Sequence, residues 1–303
     1  MRHLGLILLF LIIVSASRSG GAAVFQPKIM SALLGFLPTG SVLTLFVSGQ
    51  EKPAPIMTWE EYGRLSVRGP YILDLPVRGG RLLYFGSEHT VDPADPQFAR
   101  LERLWAEVRP THAFTEGGVS PHEANRDQAI VHHGESGLVR FLADRDGVSV
   151  RSLEPPADVE ARLLLDRFTR EQIKVFYVLR QVLQHRRERN PQALDSYVAR
   201  FLETLSKVRG LEGAPRSLLE FKASVARLAG DRLPDWRQVP DIWLRPTRTE
   251  AFTNDIERRV AELRDEHMVR LLVSEIRQGR EVFATVGFSH VIMQEPALRG
   301  LLR

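Results

Sequence analysis

Two histidines of this sequence stand in the same local pattern, with a glycine three positions before the imidazole. The pattern runs from Gly86 to His89 and again from Gly287 to His290, and each copy ends a short apolar run. Glycine lets the backbone turn sharply where a strand ends and leaves room for a ligand beside it. An imidazole just beyond such a turn can move a proton or bind a metal ion. The repeated pattern therefore selects His89 and His290 as candidate site residues.

Two carboxylates occupy equivalent positions at the ends of other apolar runs. Glu116 follows residues 112–115, and Glu154 follows residues 150–153. The carboxyl ends of parallel strands share one edge of a sheet, and ligands bind in the crevice outside that edge. Glu116 and the two histidines therefore predict either a metal site with imidazole and carboxylate ligands or a general base oriented by a carboxylate, with the second imidazole stabilising developing charge.

The other histidines give weaker signals. His132 and His133, just before Gly134, are interpreted as solvated residues of a loop. His122-Glu123 resembles the start of a zinc-protease helix motif, but Arg126 stands where the motif has its second histidine. The remaining ones are interpreted as structural or exposed: His112, His185 and His267.

Several classes of protein are excluded by what the sequence lacks. There is no cysteine, which removes disulfides, thiolate metal sites and a cysteine nucleophile. The sequence contains no Gly-x-Ser-x-Gly elbow, no phosphate-binding glycine loop and no dinucleotide fingerprint. The net charge is only +4, and no basic stripe interleaved with aromatic residues is present, so nucleic acid is not an expected partner.

The elements that must position the candidate residues alternate between strand and helix. Apolar runs predict strands at 71–75, 81–85, 111–115, 148–153 and 281–286. Apolar residues at helical spacing predict a helix after Asp95-Pro96 and two helical pieces that end at Arg145. They also predict a long helix over about 253–278 and a helix at the C-terminus. The sequence therefore predicts an α/β fold with a mainly parallel sheet and helices on both faces. An Arg-rich helical insertion is predicted at about 158–235.

The N-terminus has the layout of an export signal. Arg2 and His3 precede an apolar run over 4–14, and small residues follow it. That run is shorter than the roughly 20 residues that span a bilayer. We expect residues 1–23 to be a signal peptide or, alternatively, a membrane anchor, so that the protein is periplasmic, extracellular or anchored at its N-terminus. The N-terminal segment 24–69 contains an uncharged stretch over 29–50, predicted as helix, turn and strand, although membrane association is an alternative.

Together these motifs resemble those of the TraB/Tiki superfamily, which includes plasmid pheromone-shutdown and GumN-like proteins. Erythromycin esterases and haem-binding ChaN-like lipoproteins are more distant relatives of that superfamily. The resemblance covers roughly residues 70–296 and includes both Gly-x-x-His motifs, Glu116 between them, and Arg264 on the helix before the last strand. The sequence departs from the pattern in its Arg-rich insertion, and it lacks additional residues that erythromycin esterases carry in the first motif.

The resemblance implies an α/β domain over 70–303 with a divalent-metal-dependent hydrolase site that acts on a peptide, ester or amide bond. His89, Glu116 and His290 would be metal ligands or acid–base groups, and Arg264 would clamp a carboxylate or an oxyanion. Arg264 could instead be a solvated residue, because its own helix offers no carboxylate three or four positions away. The partner would be a small-molecule or peptide substrate. A non-catalytic haem- or metal-binding protein and a peptide-sequestering protein are the alternatives.

Overall fold

The computed structural model describes residues 55–187 and 192–303. The predicted signal peptide or anchor and the uncharged stretch over 29–50 lie outside the described residues. Within the described ranges, no helix combines the length and the apolar character needed to cross a membrane.

A five-stranded sheet forms the centre of the molecule, in the strand order β1-β2-β5-β3-β4. Its strands are β1 (Tyr71–Val77), β2 (Gly80–Ser87), β3 (His112–Thr115), β4 (Ser149–Ser152) and β5 (Glu281–Gly287). β1 pairs antiparallel with β2 through a tight turn, and the other pairs are parallel. The predicted α/β class and mainly parallel sheet are therefore confirmed.

Nine α-helices are present in the described part of the chain. They are α1 (Trp59–Tyr62), α2 (Pro96–Val108), α3 (Arg126–Asp146), α4 (Ala157–Leu165), α5 (Arg170–Arg187), α6 (Leu194–Leu205), α7 (Leu218–Ala229), α8 (Phe252–Arg277) and α9 (Phe288–Leu301). The predicted start of α2 is confirmed, because the Asp95 side chain accepts from the backbone N–H of Gln97 and Pro96 takes the first helical position.

The two faces of the sheet bury alternate residues of the same strands. On β2, Leu83 and Phe85 pack into a core with α2 and α3. Leu82 and Tyr84 pack into a second core with α8 and α9. Side chains of a strand alternate between faces, so a strand buried on both sides must be apolar nearly throughout. Helices thus cover both faces, as predicted.

Helices α4 to α7 lie between β4 and α8, where the helical insertion is predicted. They share a third core with the first half of α8, which contributes Ile256, Val260 and Leu263. The second half of α8 packs on the sheet through Met268 and Leu272. One helix therefore belongs to both cores and joins the insertion to the sheet.

The predicted loop at His132 and His133 is wrong, because both residues lie in α3. The glycine after them, Gly134, suggested a loop but instead kinks this helix. Gly134 has a φ of 57° and a ψ of −138°, which only glycine adopts easily. At Gly137 a Cβ would lie 2.0 Å from the carbonyl oxygen of Ala129, so the two halves of α3 can approach only without a side chain there. The two helical pieces predicted for this stretch are thus two halves of one kinked helix.

Candidate functional site

The two motif histidines and Glu116 meet at the carboxyl-terminal edge of the sheet. His89 follows β2, Glu116 follows β3, and His290 lies in the first turn of α9 directly after β5. β5 lies between β2 and β3, so the two imidazoles approach Glu116 from neighbouring strand ends. Nε2 of His89 is 3.9 Å from one carboxylate oxygen of Glu116, and Nε2 of His290 is 3.8 Å from the other.

His290 is held by a buried network that reaches back into the sheet. Its Nδ1–H donates to Oδ1 of Asp265 on α8 over 2.6 Å. The side-chain amide of Gln294 donates to the same oxygen over 2.7 Å and accepts from the Tyr84 hydroxyl over 3.1 Å. Burial lowers the pKa of His290, but the carboxylates of Asp265 and Glu116 outweigh it, so the pKa is raised. The imidazole is therefore fixed in orientation with Nε2 facing Glu116.

His89 has an equivalent carboxylate partner on the opposite side of the sheet. Its Nδ1–H donates to Glu135 over 2.7 Å, and Glu135 is buried just beyond the kink of α3. This hydrogen bond raises the pKa of His89 to about 9. The His89 side chain is 65% exposed, whereas that of His290 is only 10% exposed. The site is thus buried at one imidazole and open to solvent at the other.

Glu116 is fixed through both of its carboxylate oxygens. One accepts from the Arg264 guanidinium over 2.8 Å, and the other accepts from the backbone N–H of Gly287 over 2.8 Å. Burial raises the pKa of Glu116, but Arg264, the two imidazoles and the Gly287 N–H together bring it far below its ordinary value. Glu116 is therefore a carboxylate that stays ionised and keeps one orientation.

Arg264 is buried, and its partners come from strand ends instead of its own helix. Its Nε donates to Glu154 over 2.6 Å, an Nη donates to both Glu154 and Glu116, and Glu154 also accepts from the backbone N–H of Gly117. The solvated alternative for Arg264 is thereby excluded. Because this fork already binds two carboxylates of the protein, the structure gives Arg264 a positioning role on Glu116.

Both motif glycines have a steric reason to be glycine. A Cβ at Gly287 would lie 2.9 Å from Nε2 of His89 and 3.6 Å from a carboxylate oxygen of Glu116. A Cβ at Gly86 would lie 2.7 Å from the Cα of Phe288, at the start of α9. The glycine of each motif thus lets the ends of β2 and β5 come close together, along with the side chains that follow them.

The donor types and the charge of this site are those that divalent cations prefer, but His89, Glu116 and His290 do not bring three ligand atoms within 4.8 Å of one another as they stand. With each Nδ1–H bonded to a carboxylate, a neutral imidazole presents its Nε2 lone pair, which is the arrangement of histidines that bind metals. Two carboxylates, Glu116 and Glu154, bind the Arg264 guanidinium, and two more, Glu135 and Asp265, bind the imidazoles. Two protonated imidazoles carry two positive charges, and a divalent ion that replaces their protons carries the same charge. The same carboxylates therefore balance both the protonated and the metal-bound site.

A cavity of about 280 Å³ opens beside Glu116 and separates the strand ends from the helical insertion. The strand side contributes Glu116, Glu154 and Arg264. The insertion side is formed largely by α5 and α6 and combines apolar and polar groups: Tyr177, Gln181, Phe201, Thr204 and Leu205. A pocket with an apolar wall and a few convergent polar groups is typical of small-ligand sites.

No protein-family model matches this chain. No curated protein and no solved structure is significantly similar to it. The site therefore has to be judged on its own geometry.

Among the described residues, one group has three ligand atoms close enough together to hold a metal ion as they stand, and it lies away from the strand ends. Glu123, His132 and His133 offer ligand atoms that all lie within 4.8 Å of one another. Two adjacent histidines and an upstream glutamate were the signal for this group in the sequence. The loop prediction concealed it, because it treated both histidines as solvated.

Glu135 and Asp265 are the site residues that the sequence reasoning missed. Each stands on the apolar stripe of its helix. Glu135 shares its stripe with Leu138 and Leu142, and Asp265 shares its stripe with Ala261 and Met268. A carboxylate on a buried stripe needs a partner, since an unpaired buried charge is strongly unfavourable. That rule would have marked both residues, but it could not have said which histidine each one holds.

Proposed function

We propose that this protein is a metal-dependent hydrolase of the TraB/Tiki type that cleaves a peptide, ester or amide bond. One observation carries the proposal. Two imidazoles, each oriented at Nδ1 by a buried carboxylate, turn Nε2 toward opposite oxygens of Glu116. Such carboxylate–histidine pairs support metal binding, because they fix the tautomer and make the ring nitrogen more basic. His89, Glu116 and His290 would hold the ion.

A bound divalent ion would supply a water molecule that is acidic enough to attack at neutral pH, and it would polarise the scissile carbonyl. The residues of the chain perform the positioning. Arg264 and the Gly287 N–H keep Glu116 ionised and in place. Asp265 and Glu135 keep the two imidazoles aimed at it.

The substrate would enter through the cavity beneath the insertion, whose wall contains Tyr177, Phe201 and Leu205. This combination suits a small molecule or a peptide side chain with apolar and hydrogen-bonding parts. With the export signal predicted from residues 1–23, the reaction would take place outside the cytoplasm, at the membrane if that segment is an anchor.

The test compares the purified wild-type protein with His89→Ala and His290→Ala. Metal content is measured after dialysis against Mn²⁺ or Zn²⁺, and turnover is measured on p-nitrophenyl esters and a fluorogenic peptide library. We expect both variants to lose the ion at the strand ends. Their turnover should fall at least about 100-fold, which is the usual effect of removing a group essential for the chemistry. His112→Ala is the matched control, because His112 begins β3 at the opposite edge of the sheet from Glu116.

Wild-type turnover in both variants would contradict the proposal. A third result distinguishes the alternative function. Suppose that the wild-type protein binds a metal ion or haem, that His290→Ala loses it, and that no substrate is turned over. The site then belongs to a metal- or haem-binding protein. Peptide binding that survives both substitutions would instead favour sequestration by the insertion.

A further inference from the structure

A second cluster of ligand-type side chains lies at the kink of α3. Glu123 stands in the loop that precedes this helix, and His132 and His133 close its first half. One oxygen of Glu123 is 2.8 Å from Nδ1 of His132 and 3.3 Å from Nε2 of His133. The proposed hydrolase makes no use of these three residues.

The spacing of the three ligand atoms fits the edges of a metal coordination polyhedron. Zinc–nitrogen and zinc–oxygen bonds of about 2.0–2.2 Å place neighbouring ligands of a tetrahedron roughly 3.3–3.5 Å apart. The observed separations from Glu123 come close to that value, and all three atoms stay within 4.8 Å of one another. An ion between them would replace two hydrogen bonds to one oxygen with three metal bonds after small side-chain movements.

The surroundings leave room for a solvent ligand on one side only. The His133 side chain is only 10% exposed, so little solvent reaches the group from that side. The His132 side chain is 46% exposed, so water can complete the coordination from that direction. The two rings stand edge to face with their centroids 5.9 Å apart, and Nδ1 of His132 and Nε2 of His133 both lie near the same oxygen of Glu123.

We propose that Glu123, His132 and His133 bind a divalent transition-metal ion of the Zn²⁺ class, in a site separate from that at the strand ends. Imidazole and carboxylate ligands select such an ion over Mg²⁺ or Ca²⁺, which prefer oxygen donors. The ion ties the loop after β3 to the first half of α3, just before the Gly134 kink. Gly134 packs against the loop after His89, since a Cβ there would lie 3.0 Å from the Thr90 carbonyl oxygen. The ion would thus stabilise the helix turn from which Glu135 holds His89.

The test uses the full chain and Zn²⁺, measured by isothermal titration and by metal analysis after dialysis. It is run in the His89→Ala/His290→Ala background, which removes the strand-end ligands, so the result does not depend on the proposed hydrolase. We expect one Zn²⁺ per chain with a Kd below about 10 μM, equivalent to roughly 7 kcal/mol of binding. Glu123→Gln or His133→Ala added to that background should abolish this binding while the circular dichroism spectrum stays unchanged.

His122→Ala is the matched control, because His122 is adjacent to Glu123 but pairs with Asp144. It should keep the Zn²⁺. The proposal is overturned if the background binds no Zn²⁺ tighter than about 10 μM, or if Glu123→Gln and His133→Ala bind it as well as their parent does. In a Glu123→Gln single variant, loss of one Zn²⁺ with retained turnover would support this site and leave the hydrolase proposal untouched, because the strand-end ligands are intact.

Discussion

The residues that give this site its chemistry are the carboxylates behind the histidines as much as the histidines themselves. A surface imidazole rotates freely and changes tautomer, and a hydrogen bond from Nδ1–H to a carboxylate removes both freedoms. Here Asp265 performs that function for His290 and Glu135 for His89. Asp265 is the deeper of these two carboxylates, and its Oδ1 also accepts from Gln294. The affinity for an ion should therefore depend on Asp265, although this residue does not face Glu116.

Asp265→Asn tests this dependence, because it replaces one carboxylate oxygen by an amide nitrogen. The amide keeps the size of the side chain and its carbonyl oxygen but loses the charge that makes His290 basic. We expect the affinity for Mn²⁺ or Zn²⁺ at the strand-end site to fall about 10–100-fold, the usual effect of losing such a partner. Titration calorimetry in a Glu123→Gln background reports on this site alone. Asp255→Asn is the matched control, because the Asp255 side chain lies in the first turn of α8 and is 60% exposed. Equal losses in both variants would contradict the assignment.

At the level of elements, α8 determines how the insertion and the sheet fit together. Its first half packs into the core of the insertion and its second half packs on the sheet. Arg264 lies between these halves and binds the carboxylates at the ends of β3 and β4. A guanidinium presents several donors in a planar fork, so one side chain can fix two strand ends against one helix.

Arg264→Gln should destabilise the protein by about 3–5 kcal/mol, because it leaves buried carboxylates without their counter-charge. Urea unfolding followed by circular dichroism gives the change in the free energy of unfolding. Arg270→Gln on the same helix is the control, since its side chain is 67% exposed and its ion pair with Glu266 spans 4.0 Å. An exposed pair of this kind contributes about 0–1 kcal/mol. If the two substitutions cost the same, Arg264 has no special structural role.

At the scale of the whole molecule, the helical insertion forms a wall over the strand ends. The cavity between the two parts is lined by strand-end carboxylates on one side and by helices α5 and α6 on the other. This arrangement separates the tasks of the two parts. In the proposed hydrolase, the sheet edge would supply the reactive groups, and the insertion would supply the shape that a substrate must match.

Filling the cavity from the insertion side should therefore block turnover without disturbing the metal. Thr204 lines the cavity from α6, and Thr204→Trp would place an indole ring in it. Once a substrate is identified, we expect kcat/KM to fall at least about tenfold, equal to roughly 1.4 kcal/mol, at unchanged metal content. Glu203→Trp is the matched control, because the neighbouring residue does not line this cavity. Full activity in Thr204→Trp would show that substrate enters elsewhere.

Much of the architecture could be predicted from the sequence, because the signals were local. Short runs rich in apolar residues predicted the five strands, and the cap at Asp95-Pro96 predicted the start of α2. The order of strands and helices gave the α/β class. The loop predicted at His132 and His133 failed because a glycine that kinks a helix and a glycine that ends one look alike in sequence.

The sequence by itself determined which residues stand at strand ends: His89, Glu116, Glu154 and His290. It determined this because a strand ends where its apolar run ends, which is a property of neighbouring residues. Only the tertiary structure decided that Glu135 holds His89, that Asp265 holds His290, and that Arg264 joins Glu116 to Glu154. These pairs are 25 to 148 residues apart in the chain. Which of them meet depends on the order of strands in the sheet and on how α3 and α8 pack against it, and no local pattern contains that information.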